Sequence, residues 1–229
     1  MNWYESLDYD ENPLMIETRT VGFENILDEV FYAIMAGNMV FIEGPNGSGK
    51  TKVLKEAIRK FGGRGKVVYV NCKKLNKDLN IELLLKNKYG FLGRLLNKKP
   101  RNMVVLLDEV EHLSPENCER IKYFFDQNYI RSVIFASTDF KKAGFTESLA
   151  QRISKVLKVE PLSDYEAVQL VRDKIGDELL SDRVIKEIYH LSKKNIAQFL
   201  ENCDKVCSQA VTKKDLTEAD VRNILAVKK

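Results

Sequence analysis

Eight residues decide the fold of this chain: Gly44-Pro45-Asn46-Gly47-Ser48-Gly49-Lys50-Thr51. They fit the pattern G-x-x-x-x-G-K-[ST] and lie between a short apolar run, Met39–Ile42, and a segment of helical periodicity, residues 50–61. In such a loop the glycines let the backbone curl, so that its N–H groups and the helix start point at phosphate oxygens. Lys50 would neutralise the β and γ phosphates, and Thr51 would reach a magnesium ion. The stretch therefore predicts a loop that binds the phosphates of ATP.

Two carboxylates follow another apolar run further along the chain. Asp108 and Glu109 come directly after Met103–Leu107, a run typical of a buried strand. An open parallel sheet presents its ligands at the carboxyl ends of its strands, which is where both acids fall. Two acids in this position are also common in solvated loops, but a phosphate-binding loop upstream favours a functional pair. We therefore expect Asp108, with Thr51, to hold hydrated Mg²⁺ and Glu109 to polarise the water that attacks the γ phosphate.

The order of predicted elements indicates the fold class. Helical segments separate five strand-like runs, which implies a parallel sheet covered by helices on both faces. The predicted strands are Met39–Ile42, Val67–Val70, Met103–Leu107, Ser132–Ala136 and Val156–Val159. After Pro161 only helical segments follow, the first capped by Ser163 with Glu166. We expect an α/β fold with a three-layer αβα core over residues 1–160, a small helical lid over residues 161–229, and ATP in the cleft between them.

Composition narrows the class of protein. With 44% hydrophobic and 31% charged residues and no apolar run of roughly 18 residues, the sequence predicts a globular protein with no membrane partner. The N-terminus lacks the basic and apolar regions of a secretory leader, so we expect a cytoplasmic location. We expect the cysteines to be reduced, with Cys203 and Cys207 packed against apolar neighbours rather than bound to a metal. The net charge of +4 is too small to indicate a nucleic-acid partner by itself.

Further stretches are similar to the motifs of one known superfamily. They are Thr20–Glu24, Val68–Cys72, Asp108–Leu113, Phe135–Asp139 and Ser148–Arg152. Together with the phosphate-binding loop they resemble the AAA+ ATPases, and within these the archaeal origin-recognition and replication-initiator group. In that group the stretches are, in order, the box near the adenine, the second strand, the acidic box, the sensor-1 region and the arginine-finger region. The resemblance runs from about Asn12 to the C-terminus and implies ATPase activity with ATP and Mg²⁺ as cofactors.

The resemblance also implies roles for residues outside the phosphate-binding loop. Asn71, which ends the second strand, corresponds to the residue that gates the catalytic glutamate. Ser137 or Thr138 stands where a polar residue usually touches the γ phosphate or the attacking water. Arg152 corresponds to the arginine finger, which reaches into a neighbouring subunit, so the resemblance implies a homo-oligomer or hetero-oligomer. A surface salt bridge is the alternative role for Arg152.

Three features depart from the superfamily pattern. The stretch Lys194–Leu200 resembles the sensor-2 helix, but Ala197 or Gln198 stands where an arginine is usual. Without a cation near the γ phosphate, hydrolysis should couple weakly to lid movement, and we expect slow turnover. The residue after Gly22 is Phe23, where an arginine is usual. The sequence also stops where the initiators continue into a winged-helix DNA-binding domain, so the resemblance does not by itself imply direct origin recognition.

A basic stretch between the second and third predicted strands offers a candidate nucleic-acid contact. From Lys86 to Arg101 it contains no acidic residue, and Tyr89 and Phe91 could stack on bases. The cations that we single out as phosphate contacts are Lys98, Lys99 and Arg101. The alternative is a solvated helix and turn whose lysines keep the surface soluble.

These observations leave two hypotheses of different class. The first is an initiator-like AAA+ ATPase that acts on DNA or on a DNA-bound protein and uses ATP to assemble with its neighbours. The second is a regulatory switch that holds ATP, hydrolyses it weakly and binds a protein partner. Lys50, Asp108 and Glu109 favour the first, and the missing sensor-2 arginine favours the second.

Overall fold

The structure, a computed structural model, describes residues 2–18, 20–62, 66–74, 83, 101–213 and 215–226. The chain divides into two compact units. One unit, here called the core unit, spans Phe23–Val159, and the helical unit combines Met1–Gly22 with Glu160–Lys229. Residues 1–22, which the sequence pattern places in the nucleotide-binding core, group in the structure with the C-terminal helices.

A parallel sheet forms the centre of the core unit. Its five strands are β1 Met39–Glu43, β2 Val67–Asn71, β3 Met103–Asp108, β4 Ile130–Ser137 and β5 Ile153–Lys158. They lie in the order β2-β3-β4-β1-β5, and every pair of neighbours is parallel. The predicted five-stranded parallel sheet is therefore confirmed.

The position of each strand in the sheet explains its residue pattern. All six residues of β3 are buried, because β3 lies inside the sheet and helices cover both of its faces. On the edge strand β5 only Leu157 is fully buried. β5 begins three residues earlier than predicted, because its pairing with β1 starts at Ile153 while the exposed residues that follow interrupt the apolar pattern.

Helices in the core unit cover the sheet and begin where their caps require. They are α1 Glu24–Ala36, α2 Lys50–Phe61, α3 Pro115–Asp126 and α4 Glu147–Ala150. Ser114 caps the start of α3: its hydroxyl accepts a hydrogen bond from the backbone N–H of Asn117. Pro115 then occupies the first helical position. The helices enclose an apolar cluster that includes Phe41, Val105 and Phe135. The cluster fixes the sheet beneath the loops that follow its strands.

The helical unit consists of short amphipathic helices around its own apolar cluster. They are α5 Asp164–Ile175, α6 Asp182–Leu191, α7 Ile196–Ala210 and α8 Glu218–Ala226. The capping box predicted at Ser163 and Glu166 is present, and both of its hydrogen bonds are formed. Cys203 and Cys207 are buried in the cluster, and burial raises the pKa of both thiols. None of the helices in the described part of the chain is long and apolar enough to cross a bilayer.

The N-terminal segment belongs to the helical unit because its side chains are buried there. Trp3 and Leu14 join the apolar cluster of that unit. The Trp3 indole N–H and the side-chain amide of Asn12 both donate to Asp204 Oδ1, each at a distance of 2.7 Å. One carboxylate on α7 thus holds two points of the segment, which accounts for the difference from the sequence-based division.

Candidate nucleotide-binding site

The carboxyl ends of the strands bring most of the predicted nucleotide-binding residues to one edge of the sheet. β1 ends at Glu43, immediately before the loop Gly44–Gly49, and its neighbour β4 ends beside it at Ser137. On the other side of β4, the register pairs Asp108 at the end of β3 with Asn71 at the end of β2. The phosphate-binding loop and the polar ends of β2, β3 and β4 therefore share this edge.

The loop has a backbone shape that requires glycine. Gly47 and Gly49 have φ of 78° and 101°, in the range that residues with a side chain rarely adopt. A Cβ atom on Gly49 would lie 2.4 Å from Cζ of Phe23, and one on Gly44 would lie 2.7 Å from Ser48 Oγ. Phe23, the residue that departs from the superfamily pattern, therefore packs its ring against the loop. The glycines leave room for a curled backbone that precedes α2 directly.

Lys50 lies at the start of α2 with its side chain turned back over the loop. It is only 7% exposed, and its Nζ donates to the carbonyl oxygens of Gly44 at 2.7 Å and Pro45 at 3.0 Å. Burial lowers the pKa of Lys50, while the charges of Asp108, Glu111 and Glu109 oppose that fall. The residue thus holds a partly desolvated amine inside the loop, close to the acids at the strand ends.

Asp108 is the buried centre of a hydrogen-bond group. It is 1% exposed, and its Oδ2 accepts from the Thr51 hydroxyl at 2.7 Å and from the Tyr69 hydroxyl at 3.1 Å. Its Oδ1 accepts from the backbone N–H of Glu109 at 3.1 Å. The structure therefore brings together the predicted metal residues Thr51 and Asp108, and it adds Tyr69, which the sequence reasoning missed.

The environment of Tyr69 raises the pKa of its hydroxyl to about 12. Burial is the largest cause, followed by the charge of Asp108 and the hydrogen bond to it, while a hydrogen bond from Asn71 acts in the opposite direction. A high pKa keeps the phenol protonated, so that it remains a donor to Asp108. The alternation of side chains along β2 could have indicated this contact. Tyr69 lies on the same face of the strand as the predicted site residue Asn71, opposite to Val68 and Val70.

Glu109 follows β3 in a left-handed conformation, with φ of 53°. Among the described residues, two buried side-chain atoms lack a hydrogen-bond partner: Glu109 Oε2 and Ser48 Oγ. Buried polar atoms are nearly always paired, so an unpaired carboxylate oxygen and an unpaired hydroxyl beside a phosphate-binding loop fit a polar ligand there. The hydroxyl of Thr51 and the carboxylate of Asp108 supply the oxygen atoms that Mg²⁺ prefers. On these observations the residues fit ATP with Mg²⁺.

Ser137 and Asn71, two further residues that the resemblance singles out, have hydrogen-bond partners within the core unit. The Ser137 hydroxyl donates to Glu111, a carboxylate that the sequence reasoning did not single out. Thr138, the next residue, is partly exposed beyond the end of β4. Asn71 accepts a hydrogen bond from the Lys74 amide at 3.3 Å, which fixes the turn after β2. Ser137 is therefore held by an acid that lies two residues beyond Glu109.

Arg152 lies at the opposite edge of the sheet. It directly precedes β5, whose first residue Ile153 pairs with Met39 at the start of β1, whereas the phosphate-binding loop follows the end of β1. The guanidinium of Arg152 donates to Asp126 Oδ2 over 3.1 Å, and about half of its side chain is exposed. The structure thus contains the surface salt bridge that was the alternative role for this residue.

The remaining predicted contacts are described only in part. Lys98 and Lys99 lie outside the described residues, and so do Tyr89 and Phe91. Arg101 is described and exposed, two residues before β3 begins.

Comparison with known families identifies the class of protein. The family model described as "AAA domain" matches residues 36–168, which include the phosphate-binding loop, Asp108, Glu109 and Arg152. The match covers more than half of the chain, and the chain therefore belongs to this family of AAA domains. A comparison with curated protein sequences found no match. The predicted AAA+ resemblance is confirmed at the level of the family.

Three solved structures with a similar fold illustrate the likeness. The Aeropyrum pernix ORC1 protein in complex with DNA is similar with a TM-score of 0.71 and 14% identity, over 93% of this chain and 68% of that chain. The Thermotoga maritima RuvB Holliday junction branch migration motor gives a TM-score of 0.68 and 17% identity, over 90% and 70%. Domain III of the Thermotoga maritima replication initiation protein DnaA gives a TM-score of 0.63 and 19% identity, over 96% of this chain and 99% of that chain. At these identities the likeness establishes a shared fold.

Proposed function

We propose that this protein binds ATP with Mg²⁺, hydrolyses it, and acts in the manner of a replication initiator on DNA or on DNA-bound protein. The observation that carries the proposal is the group at the carboxyl edge of the sheet. There Thr51 is bonded to Asp108, Lys50 lies inside a glycine loop, and Glu109 has a buried, unpaired carboxylate oxygen. These are the parts that binding and hydrolysis of a nucleoside triphosphate require.

The loop Gly44–Gly49 and the start of α2 would bind the phosphates through backbone N–H groups. Lys50 would exchange its contacts with the carbonyls of Gly44 and Pro45 for β and γ phosphate oxygens. The Thr51 hydroxyl donates a hydrogen bond to Asp108, so its oxygen keeps lone pairs that can face a metal ion. Thr51 and Asp108 would hold Mg²⁺, whose positive charge would stabilise the negative charge of the phosphates.

Glu109 would act as the general base. Its unpaired Oε2 can accept a proton from a water molecule that is aligned with the γ phosphate. Asn71 would gate the position of this carboxylate, and Ser137 or Thr138 would contact the γ phosphate or the water. For Ser137 the hydrogen bond to Glu111 would have to open or rotate first.

The similar folds support a substrate, and the position of Arg152 supports a neighbouring subunit as a partner. Folds similar to this one occur in an ORC1 protein solved with DNA and in a branch migration motor, which supports a substrate of DNA or DNA-bound protein. Arg152 lies at the edge of the sheet opposite to the phosphate-binding loop of the core unit, so a neighbouring subunit is the site that its guanidinium would serve. In this arrangement the salt bridge to Asp126 exchanges for a γ phosphate, and the active form is a homo-oligomer or hetero-oligomer.

The second candidate is a slowly hydrolysing ATP-dependent switch that binds a protein partner. The first turn of α7, which resembles the sensor-2 helix, carries Ala197 and Gln198 and no arginine. The Gln198 side chain is directed along its own helix, where its amide donates to Asn202 at 3.1 Å. The lack of an arginine at this position supports slow hydrolysis.

Steady-state ATP hydrolysis, measured with and without duplex DNA, separates the two candidates. The first predicts turnover that duplex DNA stimulates and that the Glu109→Gln variant lacks, since this variant keeps the fold and loses the base. The second predicts slow turnover that DNA leaves unchanged. If the parent protein and Glu109→Gln release phosphate at the same rate, Glu109 is not the general base.

A separate measurement tests direct contact with DNA. Charge reversal at three positions together, Lys98, Lys99 and Arg101, should weaken DNA binding and reduce its dependence on salt, because phosphate contacts release counterions. Reversal of the same number of charges on α2, at Lys52, Lys55 and Lys60, is the matched control. Equal DNA affinity in the parent and the first variant would favour the alternative, in which these residues form a solvated surface that does not contact DNA.

A further inference from the structure

Tyr69 contacts the proposed magnesium residue, although the sequence assigns it no role of its own. Its hydroxyl donates to Asp108 Oδ2 over 3.1 Å, the same oxygen that accepts from Thr51 at 2.7 Å. The other oxygen of Asp108 accepts from the backbone of Glu109. Three donors therefore fix the carboxylate, and one of them is a tyrosine from the neighbouring strand β2.

Packing alone does not account for the hydroxyl of Tyr69. The buried face of β2 is formed by Val68 and Val70, which join the apolar cluster of the core unit. Tyr69 lies on the other face and is 36% exposed, so its ring stays partly in solvent. Its hydroxyl nevertheless reaches an oxygen of Asp108, a residue that is almost fully buried. A phenylalanine could cover the same surface, so the contact with Asp108 is the distinctive property of the tyrosine.

The contact bears on the metal through Thr51. The hydrogen bond from Thr51 to Asp108 fixes the direction of the hydroxyl proton and leaves the oxygen lone pairs of Thr51 available to Mg²⁺. A hydrogen bond from a third residue to the carboxylate holds its orientation, as outer residues do at many metal sites. Tyr69 is the side chain that holds Asp108 Oδ2 from the side of β2.

We propose that Tyr69 is a positioning residue for Mg²⁺, holding the Asp108 carboxylate in the orientation that directs Thr51 at the metal. This inference rests on the proposed function, because it concerns the Mg²⁺ that accompanies the nucleotide. It assigns Tyr69 no direct contact with nucleotide, so the affinity for nucleotide without metal should be independent of its hydroxyl.

The test is calorimetric titration of ADP into the full chain, once with Mg²⁺ and once with EDTA, for the parent and for Tyr69→Phe. The ratio of the two affinities measures the contribution of the metal. We expect this ratio to fall about tenfold in Tyr69→Phe, the lower end of the range for outer residues of metal sites, while the affinity in EDTA stays unchanged. Tyr32→Phe is the matched control, because it removes the same atom from an exposed tyrosine on α1 in the same unit.

Each other outcome has a definite meaning. An unchanged ratio in Tyr69→Phe overturns the positioning role, and a larger ratio means that the tyrosine competes with the metal for Asp108. A parent protein that binds ADP equally well with and without Mg²⁺ refutes the role of Tyr69 but leaves nucleotide binding standing. A parent protein that binds no nucleotide refutes the proposed function and this inference with it. A thermal unfolding midpoint equal to that of Tyr32→Phe shows that Tyr69→Phe is folded.

Discussion

Alanine at Gly49 should destabilise the core unit in two separable ways. Gly49 has φ of 101°, so any side chain there strains the backbone. The added Cβ would also lie 2.4 Å from Cζ of Phe23 and 3.0 Å from its Cε1, closer than carbon atoms approach. Because Phe23 is buried, its ring cannot simply swing into solvent. Gly49→Ala must therefore displace the ring, the phosphate-binding loop or both.

The two contributions can be estimated separately. A residue held in a sparsely populated backbone region costs about 1–3 kcal/mol, and an extra carbon forced into a packed site costs about 1–3 kcal/mol more. The expected loss of unfolding free energy for Gly49→Ala is thus roughly 2–6 kcal/mol. Gly144→Ala supplies the matched control, because Gly144 has φ of 67° but a Cβ there would meet no atom within 4 Å.

Urea unfolding followed by circular dichroism measures both variants. Gly49→Ala should lose clearly more stability than Gly144→Ala, and the difference should shrink when Phe23→Leu is combined with Gly49→Ala, because the shorter side chain relieves the overlap. Equal losses in the two glycine variants, or no coupling between positions 23 and 49, would show that the Phe23 ring does not pack against the loop.

Other perturbations test the catalytic, subunit and packing assignments. Glu109→Gln should keep ATP affinity in calorimetry and slow phosphate release about a hundredfold, the usual scale for losing a general base; equal turnover would place the base elsewhere. Arg152→Ala should lower turnover by up to about a thousandfold, and mixing it with Lys50→Ala protein should restore part of the activity, because each variant keeps what the other lacks. Turnover per subunit that is independent of protein concentration would argue against this exchange between subunits. Asp204→Ala should speed proteolysis of the N-terminal segment, because it removes the acceptor shared by Trp3 and Asn12; an unchanged cleavage rate would mean that apolar contacts alone hold the segment.

The sequence predicts the sheet and the phosphate-binding loop well because both depend on local patterns. The loop needs glycines at positions where φ is positive, such as Gly47 and Gly49, and these leave a fixed spacing in the sequence. β3 is buried on both faces, so it reads as a continuous apolar run that ends abruptly at Asp108. Neither feature requires knowledge of what the rest of the chain does.

Contacts between strands are harder to predict, because they depend on sheet order. Tyr69 meets Asp108 only because β2 lies next to β3, and the order β2-β3-β4-β1-β5 leaves no local trace in the sequence. The same holds for Ser137 and Glu111, which come from β4 and from the turn after β3. The motifs therefore identify residues that meet the nucleotide, while the residues that orient them emerge from the fold.

The N-terminal segment shows a second limit of pattern-based prediction. Residues 1–19 are polar and irregular, so Trp3 gives no periodic signal of burial. Its indole N–H is bonded to Asp204, 201 positions further along the chain. Only the tertiary structure reveals such a contact, and it is what assigns the segment to the helical unit.

The central claim is that the loop Gly44–Thr51 binds ATP through Lys50. Isothermal titration calorimetry of ATP with Mg²⁺ into the parent, Lys50→Ala and Lys52→Ala proteins tests it most directly. Lys52 is the matched control, since it is also on α2 and lies 3.4 Å from Glu56 instead of turning over the loop. We predict one binding site per chain in the parent and in Lys52→Ala, and no measurable binding in Lys50→Ala, which lacks the amine that faces the phosphates. Nearly unchanged ATP affinity in Lys50→Ala would contradict the account.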